Sequence, residues 1–203
     1  MHKNLLLIFT RNPELGKAKT RLAKTVGNET ALEIYKFLLQ RTKDISLKVN
    51  ADKAVCYSVK IRENDIWNTD IYQKYQQEGE DLGIRMLNAF KNGFEAGYKK
   101  IIIIGSDLYD LSSKEIDNAF NQLDKNDLVL GPALDGGYYL LGMKELYKKV
   151  FKNKEWGRAA VKKDTLQDLI NQQVKLLEVK NDIDVYEDIV AIPEIMQTFI
   201  NSK

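Results

Sequence analysis

Short apolar runs alternate with longer helix-like segments along this 203-residue sequence. The clearest run is residues 101–104, four consecutive isoleucines that are followed by Gly105. A β-branched run of this kind predicts a strand covered on both faces. Similar runs occupy residues 5–9, 54–59, 128–130, 138–143 and 174–179. Because β and α segments alternate, the sequence predicts an α/β fold around a mostly parallel sheet.

Helical periodicity fills the stretches between these runs. Residues 30–49 and 81–97 repeat apolar residues at three- and four-residue spacing, which predicts amphipathic helices. Ser112 and Glu115 have the spacing of a capping box, so a helix is predicted to begin there. Two further helices are predicted over residues 165–172 and 186–199, the latter broken at Pro193. Ligands of such sheets bind at the carboxyl ends of strands, which points to the loops after Phe9, Gly105, Pro132 and Val179.

Composition excludes several classes of protein. The 31 basic and 29 acidic residues give a net charge of only +2 and are interleaved, so we expect no nucleic-acid partner. One cysteine, Cys56, and one histidine, His2, exclude a Cys/His zinc site and a Cys–His catalytic pair. The apolar runs are too short to span a bilayer, and we expect a cytoplasmic protein with no membrane span. The length predicts a single domain over residues 1–203.

The loop after the first predicted strand is basic. Arg11, Lys17, Lys19 and Arg21 surround Gly16 and lead toward a helix. Phosphate binding needs backbone N–H donors and positive charge, and a loop that enters a helix supplies both. The loop is not a Walker A motif, because arginine stands at position 11 where glycine is required and alanine at position 18 where Ser or Thr is required. We interpret it as a phosphate-binding loop, the alternative being a solvated basic loop.

Aspartates follow two of the later strands. Asp107 comes directly after the isoleucine run, and Asp184 forms a D-x-D pair with Asp182 after the last run. Any metal in this chain must be held by oxygen ligands, which favours Mg²⁺ or Mn²⁺. We predict Asp107 and Asp184 as the metal ligands. The alternatives are a turn or helix-dipole role for Asp107 and helix N-capping by Asp184.

Two further clusters carry candidate binding residues. Asp135 precedes Gly136 and Gly137, a pair that permits either close approach of a ligand or a hairpin turn. Asp135 can act as a catalytic acid or base, orient the acceptor, or form the turn. Arg85 can reach a phosphate or remain a surface residue.

The ordered set of motifs resembles one known family. The motifs are Arg11-x-Pro13, Gly16-x-x-Lys19-Thr20-Arg21-Leu22, Asp81-Leu82-Gly83-x-Arg85, Gly105-Ser106-Asp107, Gly131-Pro132-Ala133-x-Asp135-Gly136-Gly137-Tyr138-Tyr139 and Asp182-x-Asp184. Together they resemble the radical-SAM/selenodomain-associated transferases, glycosyltransferase-like members of the GT-A nucleotide-diphospho-sugar transferase superfamily. The chain is also similar to phospholactate guanylyltransferase and, more distantly, to molybdenum-cofactor guanylyltransferase. It departs from the family at Tyr109, where a proline is usual.

The resemblance implies a GT-A-like (Rossmann-like) three-layer sandwich with a nucleotide at the first loop and a divalent cation near Asp107. It matches Asp184 to the later acidic ligand, and Lys19 and Arg21 to cations that contact nucleotide phosphates. Asp135 and Lys19 are the catalytic candidates. The nucleotide-binding candidates are Arg11, Gly16, Lys17, Lys19, Arg21, Arg85, Gly136 and Gly137.

Three functions compete on this basis. The first is a Mg²⁺- or Mn²⁺-dependent glycosyltransferase that moves a sugar from a nucleotide-diphospho-sugar to a small-molecule acceptor. The second is a nucleotidyltransferase that activates a small phosphate or carboxylate acceptor with a nucleoside triphosphate and releases pyrophosphate. The third is a non-catalytic nucleotide-binding module. The sequence leaves the base, the sugar, the acceptor and the oligomeric state open.

Overall fold

A computed structural model describes residues 3–201, so His2 lies outside the described residues. Within this range seven strands form one sheet. In chain order they are β1 (Asn4–Thr10), β2 (Asp52–Tyr57), β3 (Tyr72–Gln76), β4 (Lys100–Ile104), β5 (Leu128–Pro132), β6 (Tyr138–Met143) and β7 (Val174–Leu176). Their spatial order is β3-β2-β1-β4-β6-β5-β7.

The sheet is mostly parallel, as predicted. Strands β1, β2, β3 and β4 pair in parallel, and so do β5 and β7, whereas β6 runs antiparallel to both β4 and β5. The reversal follows from the tight connection between β5 and β6, which leaves no room for a crossover helix. The α/β fold class and the mostly parallel sheet are therefore confirmed.

Helices cover both faces of the sheet. They are α1 (Thr20–Val26), α2 (Asn28–Leu47), α3 (Leu82–Glu95), α4 (Ser113–Gln122), α5 (Val161–Asp168), α6 (Tyr186–Val190) and α7 (Pro193–Ile195), with a short 3₁₀ helix at Lys148–Phe151 and a π-helical turn at Met196–Ile200. Asp81 caps α3, and Ser112 and Glu115 form the predicted capping box of α4. Among the described residues, no helix is long and apolar enough to cross a membrane.

Strand alternation sends the apolar side chains of the central strands into two cores. Leu6 and Ile8 of β1 face the core formed with α2 and α4. Leu5 and Leu7 face the opposite core, which includes Phe90 of α3. Each fully buried side chain of this size contributes about 1.5–3 kcal/mol to the free energy of unfolding. The result is the predicted three-layer arrangement, and a third, smaller core packs α6 and α7 against α1 and α2.

Strand β3, helix α1 and the 3₁₀ helix were not predicted, and several predicted elements have different bounds. Strand β3 is polar and lies at the sheet edge, where only Tyr72 is fully buried, against Trp67. Helix α1 is a seven-residue helix that buries only Leu22. Helix α5 begins at Val161 rather than at residue 165, and β7 ends at Leu176 rather than at residue 179.

The topology brings four loops to one edge of the sheet. The loops after β1, β4, β5 and β7 all follow carboxyl ends of parallel strands. Backbone contacts fasten them together, since Leu108 pairs with Asp182 and Ala133 pairs with Lys180 in isolated bridges. The loops that carry the predicted site residues therefore form one connected surface at the carboxyl ends of the parallel strands.

Candidate functional site

Lys19 is the basic-loop residue that turns inward. Its backbone is left-handed, with φ 49° and ψ 46°, a conformation that costs a non-glycine residue about 1–2 kcal/mol. The turn sends its side chain toward β4, where Nζ donates to Oδ2 of Asp107 at 2.8 Å and the side chain is only 7% exposed. Burial lowers the pKa of Lys19, but attraction to Asp107 and Asp184 outweighs that effect and raises it above its usual value. Lys19 is therefore a charged ammonium group held inside the site.

Asp107 is positioned by two backbone contacts to the loop after β7. Its carbonyl oxygen accepts from the N–H of Ile183 at 3.1 Å, and the next residue, Leu108, bridges Asp182. These contacts place the predicted metal ligand beside the D-x-D segment.

Asp182, rather than Asp184, shares a cavity with Asp107. Burial, with repulsion from Asp107 and Asp135, raises the pKa of Asp182 to about 6. Asp184 instead accepts from Nη1 of Arg21 at 2.5 Å. Asp184 does not cap the following helix either, because the carboxylate of Asp188 accepts from the N–H groups of Asp184 and Val185. The second aspartate of the D-x-D pair is thus bound to a cation, and the first faces the cavity.

The cavity has a volume of about 210 Å³ and combines carboxylates with apolar walls. Its polar lining includes Asp107, Asp135 and Asp182, with Arg158 nearby. The apolar and aromatic lining includes Phe9, Leu82, Met86, Ile103, Leu141, Tyr138, Trp156 and Val161. A cavity of this kind binds a ligand with one polar reacting end and one apolar end.

Asp135 lies on the turn between β5 and β6. Its Oδ1 accepts from the N–H of Gly137 at 2.8 Å. Gly136 has φ 91°, and a Cβ there would lie 2.3 Å from the carbonyl oxygen of Ala159. The Asp-Gly-Gly segment is therefore a tight turn whose aspartate lines the cavity. Close approach of a ligand to its glycines stays a prediction.

Of the predicted nucleotide-binding residues, Gly137 lines the cavity, whereas Lys19 and the others lie outside its lining. Lys17 pairs with Glu14 at 2.8 Å and is 74% exposed, and Gly16 forms the turn at φ 72°. Arg11 is exposed. Arg85 donates from Nε to the carbonyl oxygen of Gly79 and lines a neighbouring cavity of about 320 Å³ that shares Phe9 as a wall. Two ion pairs connect the basic loop to the predicted metal ligands. Lys19 pairs with Asp107, and Arg21 pairs with Asp184.

The model of one protein family matches residues 40–158, more than half of the chain, and its description reads "Uncharacterized protein conserved in bacteria (DUF2064)". The chain belongs to the DUF2064 family. No curated protein matches this DUF2064 member significantly.

Solved structures share the architecture of this DUF2064 chain. A provisionally assigned nucleotide-diphospho-sugar transferase from Desulfovibrio desulfuricans G20 is 31% identical, with a TM-score of 0.89 over 98% of this chain and 89% of that one. Rv0371c from Mycobacterium tuberculosis H37Rv, solved with manganese, is 12% identical, with a TM-score of 0.60 over 94% and 98% of the two chains. A 4-diphosphocytidyl-2C-methyl-D-erythritol synthase from Anaerococcus prevotii DSM 20548 is 11% identical, with a TM-score of 0.60 over 96% and 97%. The last two share the fold alone.

The similarity to the D. desulfuricans protein confirms that this DUF2064 chain belongs to the nucleotide-diphospho-sugar transferase superfamily. The narrower resemblances to the radical-SAM-associated transferases and to phospholactate guanylyltransferase stay predictions.

The carboxylates of the site suit a metal ion that is bound partly by the protein and partly by the phosphates of a nucleotide. Across residues 3–201, no group of three or more His, Cys, Asp or Glu side chains is arranged to hold a metal ion. Asp107 and Asp182 nevertheless offer two hard carboxylates at the same edge of the sheet. Mg²⁺ is commonly bound by one or two carboxylates plus substrate phosphates and water, so the residues present fit such an ion.

Tyr109, which stands where the predicted resemblance would place a proline, ties the Asp107 loop to two other elements. The guanidinium carbon of Arg41 lies 4.2 Å from the centre of the Tyr109 ring, and Phe37 stacks on that ring at 6.4 Å. The Tyr109 hydroxyl donates to Glu194 at 2.7 Å, and Arg41 Nε donates to the Tyr109 carbonyl. The tyrosine thereby links the loop to α2 and α7.

We expect Tyr109→Ala to lower the free energy of unfolding by about 2 kcal/mol, because it removes the cation–π and ring-stacking contacts as well as the hydrogen bond. Urea unfolding measures this difference. Tyr109→Phe is the matched control, since it keeps the ring contacts and loses only the bond to Glu194. A loss as large in Tyr109→Phe as in Tyr109→Ala would show that the ring contacts do not hold the loop.

Proposed function

We propose that this protein is a divalent-cation-dependent transferase that takes a sugar from a nucleotide-diphospho-sugar. The observation that carries the proposal is that Asp107, which pairs with Lys19 at 2.8 Å, lines one cavity together with Asp135 and Asp182. The similarity to the D. desulfuricans protein, a provisionally assigned nucleotide-diphospho-sugar transferase, supports the same donor class.

The proposed roles follow from charge and position. Asp107 and Asp182 would hold Mg²⁺ or Mn²⁺, and the bound cation would supply positive charge that stabilises the departing nucleotide diphosphate. We propose Asp182 in place of Asp184 as the partner of Asp107, since Asp184 is paired with Arg21. The Lys19 ammonium group adds a second positive charge next to Asp107. Asp135 is the proposed base, because it is a cavity carboxylate on a rigid turn.

Nucleotidyl transfer is the second candidate. Arg11 and Lys17 are exposed at the first loop, and Lys17 pairs only with Glu14, an exposed contact of small energetic value. Both cations are free to bind the longer phosphate chain of a nucleoside triphosphate. Pyrophosphate release from a triphosphate would distinguish this reaction from sugar transfer.

Thermal unfolding with a ligand panel tests the proposal. Nucleoside diphosphates, triphosphates and nucleotide sugars are each added with and without Mg²⁺ or Mn²⁺. A ligand at a hundred times its Kd stabilises the native state by about 2.7 kcal/mol, which raises Tm by roughly 5–10 °C for a chain of this size. We expect a shift of this size that depends on the metal and is largest for a nucleotide sugar.

Other outcomes select among the alternatives. A larger shift with a triphosphate, together with pyrophosphate release, favours nucleotidyl transfer. A nucleotide shift that is indifferent to metal favours a non-catalytic binding module. No shift with any nucleotide contradicts the proposed site.

A further inference from the structure

The lining of the cavity is unbalanced in charge. Asp107, Asp135 and Asp182 each contribute a carboxylate to the lining. Asp107 and Asp135 both repel the negative charge of Asp182. Among the described residues that line the cavity, Arg158 is the cation. Its side chain is 75% exposed and lies 3.9 Å from Glu155, so water and a neighbouring carboxylate both weaken its field. Lys19 already pairs with Asp107.

Aromatic side chains form another part of the lining. Tyr138 and Trp156 pack edge to face, with ring centres 6.4 Å apart. Trp156 also packs against α3, where a Cβ on Gly83 would lie 2.5 Å from the indole ring. The indole, including Nε1, therefore packs against α3.

Both aromatic residues bury a polar atom that has no hydrogen-bond partner. These atoms are Tyr138 Oη and Trp156 Nε1. Tyr138 Oη lies beside the Thr165 hydroxyl, and Trp156 Nε1 lies against Gly83 of α3. Both polar atoms are therefore buried within the wall, and the two residues offer the cavity an apolar aromatic surface beside its acidic cluster.

We propose that this cavity binds the acceptor and that the acceptor is a neutral or cationic alcohol with an aromatic or apolar body. The inference rests on the proposed function and names its acceptor class. An aromatic wall attracts a cation and packs against a neutral ring. An anionic acceptor would instead be desolvated beside Asp135, because the metal ion proposed at Asp107 and Asp182 would be bound by the donor diphosphate and Lys19 pairs with Asp107. Phosphate and carboxylate acceptors, which the nucleotidyltransferase alternative requires, are disfavoured for the same reason.

The reaction of such an acceptor balances with the groups in the site. The acceptor oxygen forms a bond to the anomeric carbon of the donor sugar. The bond from that carbon to the diphosphate oxygen breaks, and its electron pair leaves with the nucleotide diphosphate. The hydroxyl proton passes to the carboxylate of Asp135, whose Oδ1 is held by the N–H of Gly137, and then to water.

Three probes of one shape test the charge preference. 2-Phenylethanol is neutral, phenylglycinol is cationic and mandelate is anionic, and each has one phenyl ring and one hydroxyl. Binding is measured by quenching of tryptophan fluorescence. The chain has two tryptophans, so Trp156→Phe, which leaves only Trp67, is the blank. We expect phenylglycinol and 2-phenylethanol to bind at least tenfold more tightly than mandelate, and the quenching to disappear in Trp156→Phe.

A charge variant makes the test specific to the site. Asp135→Asn is expected to weaken the binding of phenylglycinol and to strengthen the binding of mandelate. The tenfold preference for the cationic probe then falls to about threefold or less. Asp70→Asn, a change at an exposed aspartate near β3, is the matched control and should leave the preference intact. Equal or tighter binding of mandelate, no quenching by any probe, or an unchanged preference in Asp135→Asn would each overturn the inference.

The same samples separate this inference from the proposed function. Nucleotide-dependent thermal stabilisation without the charge preference overturns the acceptor class and leaves the donor proposal standing. The charge preference without nucleotide stabilisation supports an alcohol-binding cavity and contradicts the transferase.

Discussion

Asp182→Asn is expected to weaken Mn²⁺-dependent nucleotide binding by roughly 100-fold or more, whereas Asp184→Asn leaves it nearly unchanged. A unit charge about 4 Å from a cation is worth about 4 kcal/mol at an effective dielectric near 20, so the loss of one carboxylate ligand is large. The metal-dependent part of the thermal shift measures the effect. Because asparagine no longer repels Asp107 and Asp135, the metal-free Asp182→Asn protein should unfold at the same or a higher temperature.

The comparison with Asp184→Asn decides between two ligand pairs. Asp184 and Arg21 are 38% and 66% exposed, and an ion pair of this kind contributes at most about 1 kcal/mol to stability. If Asp184→Asn abolishes the metal dependence and Asp182→Asn preserves it, the pair predicted from sequence, Asp107 with Asp184, is the correct one.

The sequence could place Asp107 because strong local signals surround it. Four isoleucines define a buried central strand, and the residue after such a strand lies at the ligand-binding edge. The choice between Asp182 and Asp184 had no comparable signal. It depends on how the chain leaves β7, where regular pairing ends at Leu176 and two isolated bridges follow, at Lys180 and at Asp182.

Strand β3 shows a second limit of sequence patterns. Its sequence, Tyr-Gln-Lys-Tyr-Gln, has little apolar character because the strand lies at the sheet edge. Its pairing is supplied by β2 and by the contact of Tyr72 with Trp67, which are tertiary effects. The central strands were predictable because burial alone determines their composition.

The basic loop illustrates the same limit for the site. Its four cations have equivalent chemistry in the sequence, so all of them are predicted phosphate ligands. The left-handed backbone of Lys19 selects one of them to turn inward, while Lys17, two residues earlier, is in solvent. A positive φ at a lysine cannot be recognised from composition or spacing.

Lys19→Met is expected to weaken nucleotide binding by about 100-fold and to lower the free energy of unfolding by about 1–3 kcal/mol. The binding loss follows from removing a buried charge beside the proposed phosphate position. The stability loss is smaller than the 3–5 kcal/mol typical of a broken, fully buried pair, because Asp107 is one-third exposed. Calorimetric titration with a nucleoside diphosphate and urea unfolding measure the two quantities.

Two comparisons make the Lys19 result specific. Lys17→Met should change neither quantity appreciably, since Lys17 is 74% exposed and pairs only with Glu14. Mn²⁺ alone should bind Lys19→Met at least as tightly as it binds the unaltered protein, because the ammonium group no longer competes for Oδ2 of Asp107. Weaker binding of both Mn²⁺ and the nucleotide would mean that Lys19 supports the shape of the site rather than the phosphates, and the role proposed for it would have to be withdrawn.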